Sequence, residues 1–198
     1  MEWKLFEGDV PYVSTAEFHA DRERAPHLEQ AFHQERLYLA AEFVRLAVQE
    51  IAGEESVTVS DLGCGDGGLL SLIQDAPQVT AWGYDFCPAN EAGWTERGVR
   101  AFSLDVFGAD WDQVQLGDVI VMTETLEHLA DPHGVLRQAR NKAQRLVVSS
   151  PWNESQNIHS PEHAWAWNLD GYARMIESAG WLIERHQQAG LFQVVLAR

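Results

Sequence analysis

The chain has 198 residues, and its 30 acidic residues against 14 lysines and arginines give a formal net charge of −16. That surplus repels phosphate backbones at long range, which excludes bulk DNA binding as an expectation while leaving room for a single RNA end. No apolar run is long enough to span a membrane, Met1–Val10 lacks the basic and apolar blocks of a signal peptide, and two cysteines, Cys64 and Cys87, are too few for a disulfide framework, so a cytoplasmic protein is expected.

In chain order, residues 1–26 mix Trp3, Phe6, Tyr12 and Phe18 with charge and read as irregular. A helix is expected over about His27–Ile51, with Leu28, Phe32, Leu39, Phe43, Leu46, Ala47 and Ile51 as its apolar face. Short β-branched runs then alternate with helical segments. Strands are expected at Val57–Leu62, Val79–Tyr84, Val99–Leu104, Asp118–Thr123 and Arg145–Ser150. Helices are expected from Gly67 to Gln74, Ala89 to Arg97, Thr125 to Arg140 and Leu169 to Ala179. Trp181–Gln187 and Phe192–Ala197 read as a closing antiparallel hairpin. This alternation predicts an α/β, Rossmann-like three-layer sandwich around a mostly parallel seven-stranded sheet. Residues 1–198 form one expected domain, with 1–52 as cover and helix and 53–198 as core. Ligands of such sheets bind beyond the carboxyl ends of the strands.

The first strand runs into Asp61-Leu62-Gly63-Cys64-Gly65-Asp66-Gly67-Gly68. Glycines permit a tight turn and a close backbone approach, and the following helix start favours an anion. Gly63, Gly65 and Gly68 also satisfy G-x-G-x-x-G, so an NAD(P)-binding oxidoreductase is an alternative on that weak signal. The acids favour a different ligand. Asp61 is placed to meet a cationic methionine amine, Asp85 to accept from two ribose hydroxyls, and Asp105 to take an adenine amino group beside the Val106 backbone.

On this turn, the acids after the second and third strands, and Gly180-Trp181 before the final hairpin, the stretch from Val57 to Arg198 resembles the class I S-adenosylmethionine-dependent methyltransferases. The resemblance implies S-adenosyl-L-methionine as cofactor, held by Asp61, Gly63, Gly65, Gly67, Asp85, Phe86, Asp105, Val106 and Thr123.

After the fourth strand comes Thr123-Glu124-Thr125-Leu126-Glu127-His128. Spacings of three and four gather Glu124, Glu127 and His128 on one side of a helix start. In the plainer reading they are packing and cofactor-side residues, as in many small-molecule methyltransferases. In the sharper one Glu124, Glu127, His128 and His163 ligate Mn²⁺ or Mg²⁺. Glu124-x-x-Glu127-His128, Pro151-Trp152-Asn153 and His163 followed by aromatics resemble the small-RNA 3′-terminal ribose 2′-O-methyltransferases, although Trp152 interrupts their Pro-Asn pair. The expected function is metal-independent methylation of a small molecule, with His128, His163 and Glu124 as catalytic candidates. Metal-dependent RNA ribose methylation is the alternative, and a non-catalytic cofactor-binding protein a further one. The loop Ser150–Asn168 carries Trp152, His159, Trp165 and Trp167, which could form one wall of a substrate pocket. Tyr12, Phe18, His19, His27 and His33 could line the inner side of an N-terminal cover, and none is given a role, because a lone histidine is usually structural.

Overall fold

The computed structural model describes residues 1–5, 22–53 and 55–198, so Phe6, Tyr12, Phe18 and His19 lie outside the described residues. The strands are β1 (Glu2–Lys4), β2 (Val57–Leu62), β3 (Val79–Asp85), β4 (Ala101–Ser103), β5 (Val119–Thr123), β6 (Arg145–Pro151), β7 (Trp165–Trp167), β8 (Ile183–Ala189) and β9 (Phe192–Ala197). The helices are α1 (Ala31–Ile51), α2 (Gly68–Ile73), α3 (Glu91–Arg97), α4 (Pro132–Arg140) and α5 (Leu169–Ser178). Short 3₁₀ turns occupy His27–Glu29, Pro88–Asn90 and Leu126–His128.

The seven-stranded sheet has the order β4-β3-β2-β5-β6-β9-β8. β2 through β6 pair in parallel, and β9 runs antiparallel to both β6 and β8. The chain moves outward from β2 in both directions, so the switch point lies between β2 and β5, where their carboxyl ends leave a crevice.

Strand alternation divides the core into two layers. Val119, Val121, Val147, Val194 and Leu196 face α1, α2 and Trp94 of α3. Ile120, Met122, Leu146, Val148 and Val195 face α4, α5 and Trp181. The indole N–H of Trp181 donates to the Leu136 carbonyl at 3.0 Å, tying the final hairpin to α4. The three-layer expectation therefore holds. Among the described residues no helix is long and apolar enough to cross a membrane.

Four expectations change. The buried face of α1 is Arg36, Leu37, Ala40, Ala41, Phe43, Val44, Ala47 and Val48, so only Phe43 and Ala47 of the expected set are buried and Phe32 is exposed. Alanines at 40, 41 and 47 let the helix lie close to the sheet, which a count of large apolar residues misses. The helix expected over Thr125–Arg140 is split. Leu129 is extended, the Asp131 side chain caps the Gly134 N–H at 2.8 Å, and Pro132 begins α4. Proline disfavours the helical region for the residue before it and is itself suited to the first helical position, so Asp131-Pro132 starts a new helix. β4 is shorter than Val99–Leu104. Finally, Glu2–Lys4 is not irregular but pairs antiparallel with Trp165–Trp167, inside what was expected to be a loop.

Candidate functional site

The turn after β2 is shaped by what side chains cannot occupy. Gly63 has φ +80, and a Cβ there would sit 2.8 Å from Thr125 Oγ1. Gly67 has φ +82, and a Cβ would meet Val99 Cγ2 at 2.6 Å. A side-chain-bearing residue would be strained at both. The N–H groups of Gly63 and Cys64 donate to the Tyr84 carbonyl at 2.8 and 3.0 Å, which binds the turn to the end of β3. There Asp85 Oδ2 accepts the Gly65 N–H at 2.9 Å, while Oδ1 accepts the Cys87 N–H at 2.8 Å and the Asn90 amide at 3.1 Å. The Asp85 carboxylate is thus fixed, with three of its roughly four lone-pair sites occupied and acceptor capacity left on Oδ2.

A cavity of about 670 Å³ opens over this turn and runs across the ends of β3, β2 and β5. That volume falls within the roughly 300–1,000 Å³ of small-molecule sites. Asp61, at the end of β2, lines it with 1 % exposure, and its Oδ1 has no hydrogen-bond partner. Burial, aided by Asp85 and opposed by Arg36, pushes Asp61 up to about 7. A buried carboxylate oxygen without a donor fits an incoming ammonium group. Arg36 is wholly buried on α1, and its charge acts on Asp61, Glu124 and Glu127. The three acids share one arginine, so this pocket is short of positive charge.

At the end of β5, Glu124 takes φ +55, a left-handed conformation that costs on the order of 1 kcal/mol or more in a residue with a side chain. Its Oε1 accepts the Ser149 hydroxyl of β6 at 3.1 Å. Burial raises its pKa, with Arg36 and Ser149 pulling it back. Glu127 lies deeper, fully buried, and neither carboxylate oxygen has a partner. Burial and then the charge of Glu124 hold it well above the usual carboxylate range.

Two histidines meet beside it, their ring centroids 4.7 Å apart and nearly perpendicular. His128 Nδ1 lies 3.1 Å from the Glu162 carbonyl, and His163 Nδ1 lies 2.6 Å from Glu154 Oε2. Both partners accept, so each ring carries its proton on Nδ1 and keeps the basic lone pair on Nε2. Glu127, His128 and His163 offer ligand atoms that all lie within 4.8 Å of one another. A carboxylate with two orphan oxygens and two imidazoles held through their outer nitrogens is a donor set that fits a divalent ion.

A strap formed by residues 22–29 crosses the cavity. Arg22, Glu23, Ala25 and His27 line it. Arg22 pairs with Glu162 at 3.1 Å on the β6 side. On the other side the buried Asp66 receives Arg24 at 3.1 Å and Arg97 of α3 at 2.8 Å, and Arg97 also holds Glu29 at 2.6 Å.

Of the residues singled out from sequence, Asp61, Gly63, Gly65, Asp85, Phe86, Asp105, Val106 and Thr123 line the cavity, as do Glu124, His128 and His163. Gly67 does not, because it turns the chain against Val99, and Glu127 lies behind the wall. Glu124 stands apart from the ligand group, which unites three of the four expected metal ligands. Trp152, His159, Trp165 and Trp167 are not on the wall. Trp165 and Trp167 instead form β7, and Trp167 donates to Glu2 at 2.8 Å. Sequence reasoning missed Arg36, Ser149, Glu154, Glu162 and the Asp66 network. Arg36 alone had a signal, a charge inside the apolar stripe of α1.

A parallel sheet of this order, with a glycine turn after its first strand and acids at the next two strand ends, defines a class I S-adenosylmethionine-dependent methyltransferase. The family model described as "Methyltransferase domain" matches residues 31–194, and the chain belongs to that family. The match removes the NAD(P) alternative. A search of curated proteins found no match. Among solved structures, the chain is similar to an O-methyltransferase family protein from Burkholderia thailandensis, with TM-score 0.64 and 16 % identity over 83 % of this chain and 55 % of that one. It is similar to the CurJ carbon methyltransferase, with TM-score 0.70 and 14 % identity over 96 % and 61 %. It is also similar to the Burkholderia thailandensis 1,6-didemethyltoxoflavin-N1-methyltransferase, solved with that compound and S-adenosylhomocysteine, with TM-score 0.63 and 18 % identity over 86 % and 79 %. The chain thus spans little more than half the length of the first of these.

Proposed function

We propose that the protein methylates a hydroxyl group of a small molecule in a reaction that needs no metal. One observation carries this reading. A single cavity is lined by an unpartnered Asp61 oxygen at one place and, at another, by His163, whose Nδ1 is held by Glu154. Asp61 holds the methionine ammonium, Asp85 accepts from the ribose hydroxyls, and Asp105 with Val106 faces the adenine. Bound S-adenosylmethionine supplies a methyl group on a sulfonium, which leaves as a neutral thioether. His163 Nε2 takes the acceptor hydroxyl proton as the oxygen gains the methyl group, and Glu154 orients the ring and offsets its new charge. Such a base contributes roughly 10²–10⁴-fold. The ligands of the solved 1,6-didemethyltoxoflavin methyltransferase support a small-molecule acceptor.

A second reading, metal-assisted RNA ribose methylation, is favoured by the convergence of Glu127, His128 and His163. In it a divalent ion lowers the hydroxyl pKa and the histidines serve as ligands rather than bases. Calorimetric titration of Mn²⁺ into protein saturated with S-adenosylhomocysteine separates the two, with Glu127→Ala as control. No binding, and methyl transfer that persists in EDTA, is the expected result. One tight site lost in the variant would overturn the metal-free reading and put RNA ends first.

A further inference from the structure

Three rings form a ladder that climbs from the sheet into the cavity. Phe192, at the start of β9, stacks on His33 of α1 with centroids 5.0 Å apart and planes 24° apart. His33 in turn lies 4.2 Å from His27. His27 and His33 line the cavity, whereas Phe192 does not. His27 is the last rung, since His33 is its only ring neighbour among the described residues. The foot of the ladder is fixed. The Arg36 guanidinium lies over Phe192 at 5.1 Å, and its Nη2 donates to His33 Nδ1 at 3.3 Å.

Burial and the charge of Arg36 hold His27 down at about 4, and burial with the neighbouring His27 holds His33 at about 3. At neutral pH both imidazoles are uncharged, so this wall presents neutral aromatic rings, tilted 41° to each other, in a pocket otherwise rich in carboxylates. Its position also matters. β9 and β6 lie on the opposite side of β2 from β3 and β4, where Phe86 and Asp105 border the cavity. The ladder therefore stands away from the expected adenine end. Through Arg36 it adjoins Glu124, whose charge in turn senses His163.

We infer that the methyl acceptor is a flat aromatic hydroxyl compound that stacks on His27 and extends the Phe192–His33–His27 ladder. This rests on the methyl-transfer reading above. A neutral ring face attracts a planar π-system through offset stacking, while a puckered ring gains only partial contact. The acidic lining disfavours anionic acceptors.

The test uses full-length protein saturated with S-adenosylhomocysteine, in EDTA, titrated with catechol and with cyclohexane-1,2-diol. The two share a vicinal diol and differ in flatness. Binding of S-adenosylhomocysteine is measured first, and its absence would sink the methyltransferase reading itself. Given that binding, catechol is expected to bind at least threefold more tightly than the puckered diol, a preference of the size stacking provides, about 3–10-fold. His27→Ala is expected to abolish the preference and His27→Phe to keep it, both with unchanged affinity for S-adenosylhomocysteine. Equal binding of the two diols, binding of neither, or an unchanged preference in His27→Ala would overturn the flat-acceptor inference alone. Loss of the preference in His27→Phe as complete as in His27→Ala would also overturn it, because polarity rather than the ring face would then be the cause.

Discussion

The two ends of the cavity are assembled differently. The proposed cofactor end comes mainly from two short stretches, 61–68 and 84–90, joined by hydrogen bonds from the Gly63, Cys64 and Gly65 N–H groups, with Asp105 and Val106 added after β4. The proposed acceptor end draws on five places: His27 on the strap, His33 on α1 with Arg36 beside it, Glu124 and His128 after β5, His163 after β6 with Glu154 holding it, and Phe192 on β9 beneath His33. A site built from local backbone geometry is written into a contiguous string. A site built from side chains far apart in sequence exists only once the sheet brings those places together. The first kind suits a ligand common to a family and the second a ligand particular to one member.

The largest expected effect on binding falls on the local end. Asp61→Asn removes the charge that meets the cofactor ammonium and is expected to weaken S-adenosylmethionine binding by roughly 30-fold or more, the scale of a broken buried charge pair. The pH dependence has a definite sign. With Asp61 raised to about 7 in the free protein, the carboxyl is protonated below that pH, and binding the ammonium requires it to lose the proton. The dissociation constant is therefore expected to rise, by up to about tenfold per unit, as pH falls below 7, and to stay level above it. The asparagine variant should show no such slope in isothermal titration. A wild-type affinity constant from pH 7 to pH 5.5 would remove Asp61 from the ammonium.

This asymmetry also governs what could be read from sequence. β2 matched its expected bounds because an apolar run ending in Asp-Leu-Gly-Cys-Gly is local information. The split before α4 was legible too, since Asp131-Pro132 is a helix start, but the helical spacing of Glu124, Glu127 and His128 masked it. The metal-capable group is the instructive case. Spacing alone suggested Glu124 with Glu127, yet the left-handed turn at Glu124 aims it at Ser149, and the 3₁₀ turn carries Glu127 and His128 toward His163 instead. The tryptophans of the loop were plausible pocket walls by composition. Only the pairing of β1 with β7 reveals that Trp165 and Trp167 pack elsewhere, and Trp152 bonds to the Gly190 and Leu191 carbonyls at the β8–β9 turn. His27 and His33 were expected on the inner side of an N-terminal cover but without a role, since their pairing with each other and with Phe192 depends on the strap lying across the crevice.

The strap bridges the two ends and can be loosened at one of them. Asp66 is the buried acid shared by Arg24 and Arg97. Asp66→Asn leaves the Arg97–Glu29 pair in place but frees Arg24 from its buried partner. Release of S-adenosylhomocysteine in stopped-flow displacement is expected to quicken by about tenfold, with association little changed, because weakened contacts act mainly on dissociation. A fall in melting temperature with an unchanged release rate would make the network a structural tie with no hold over the ligand.

The smallest expected effect makes the sharpest test of where the acceptor wall lies. His159 and His163 sit four residues apart on the same loop, and by composition either suits catalysis. His159 is exposed and bonded through Nδ1 to the Ser155 carbonyl at 3.2 Å, outside the cavity. His163 is held by Glu154 and lines it. With a turned-over acceptor in hand, His163→Ala is expected to lower kcat by about 100-fold, and His159→Ala to change kcat/KM by less than about twofold, as surface substitutions do. If His159→Ala cost tenfold or more, the loop would have to fold into the cavity during turnover. Its tryptophans would then return as a substrate wall, and the ring ladder on α1 would lose its place as the surface on which the acceptor rests.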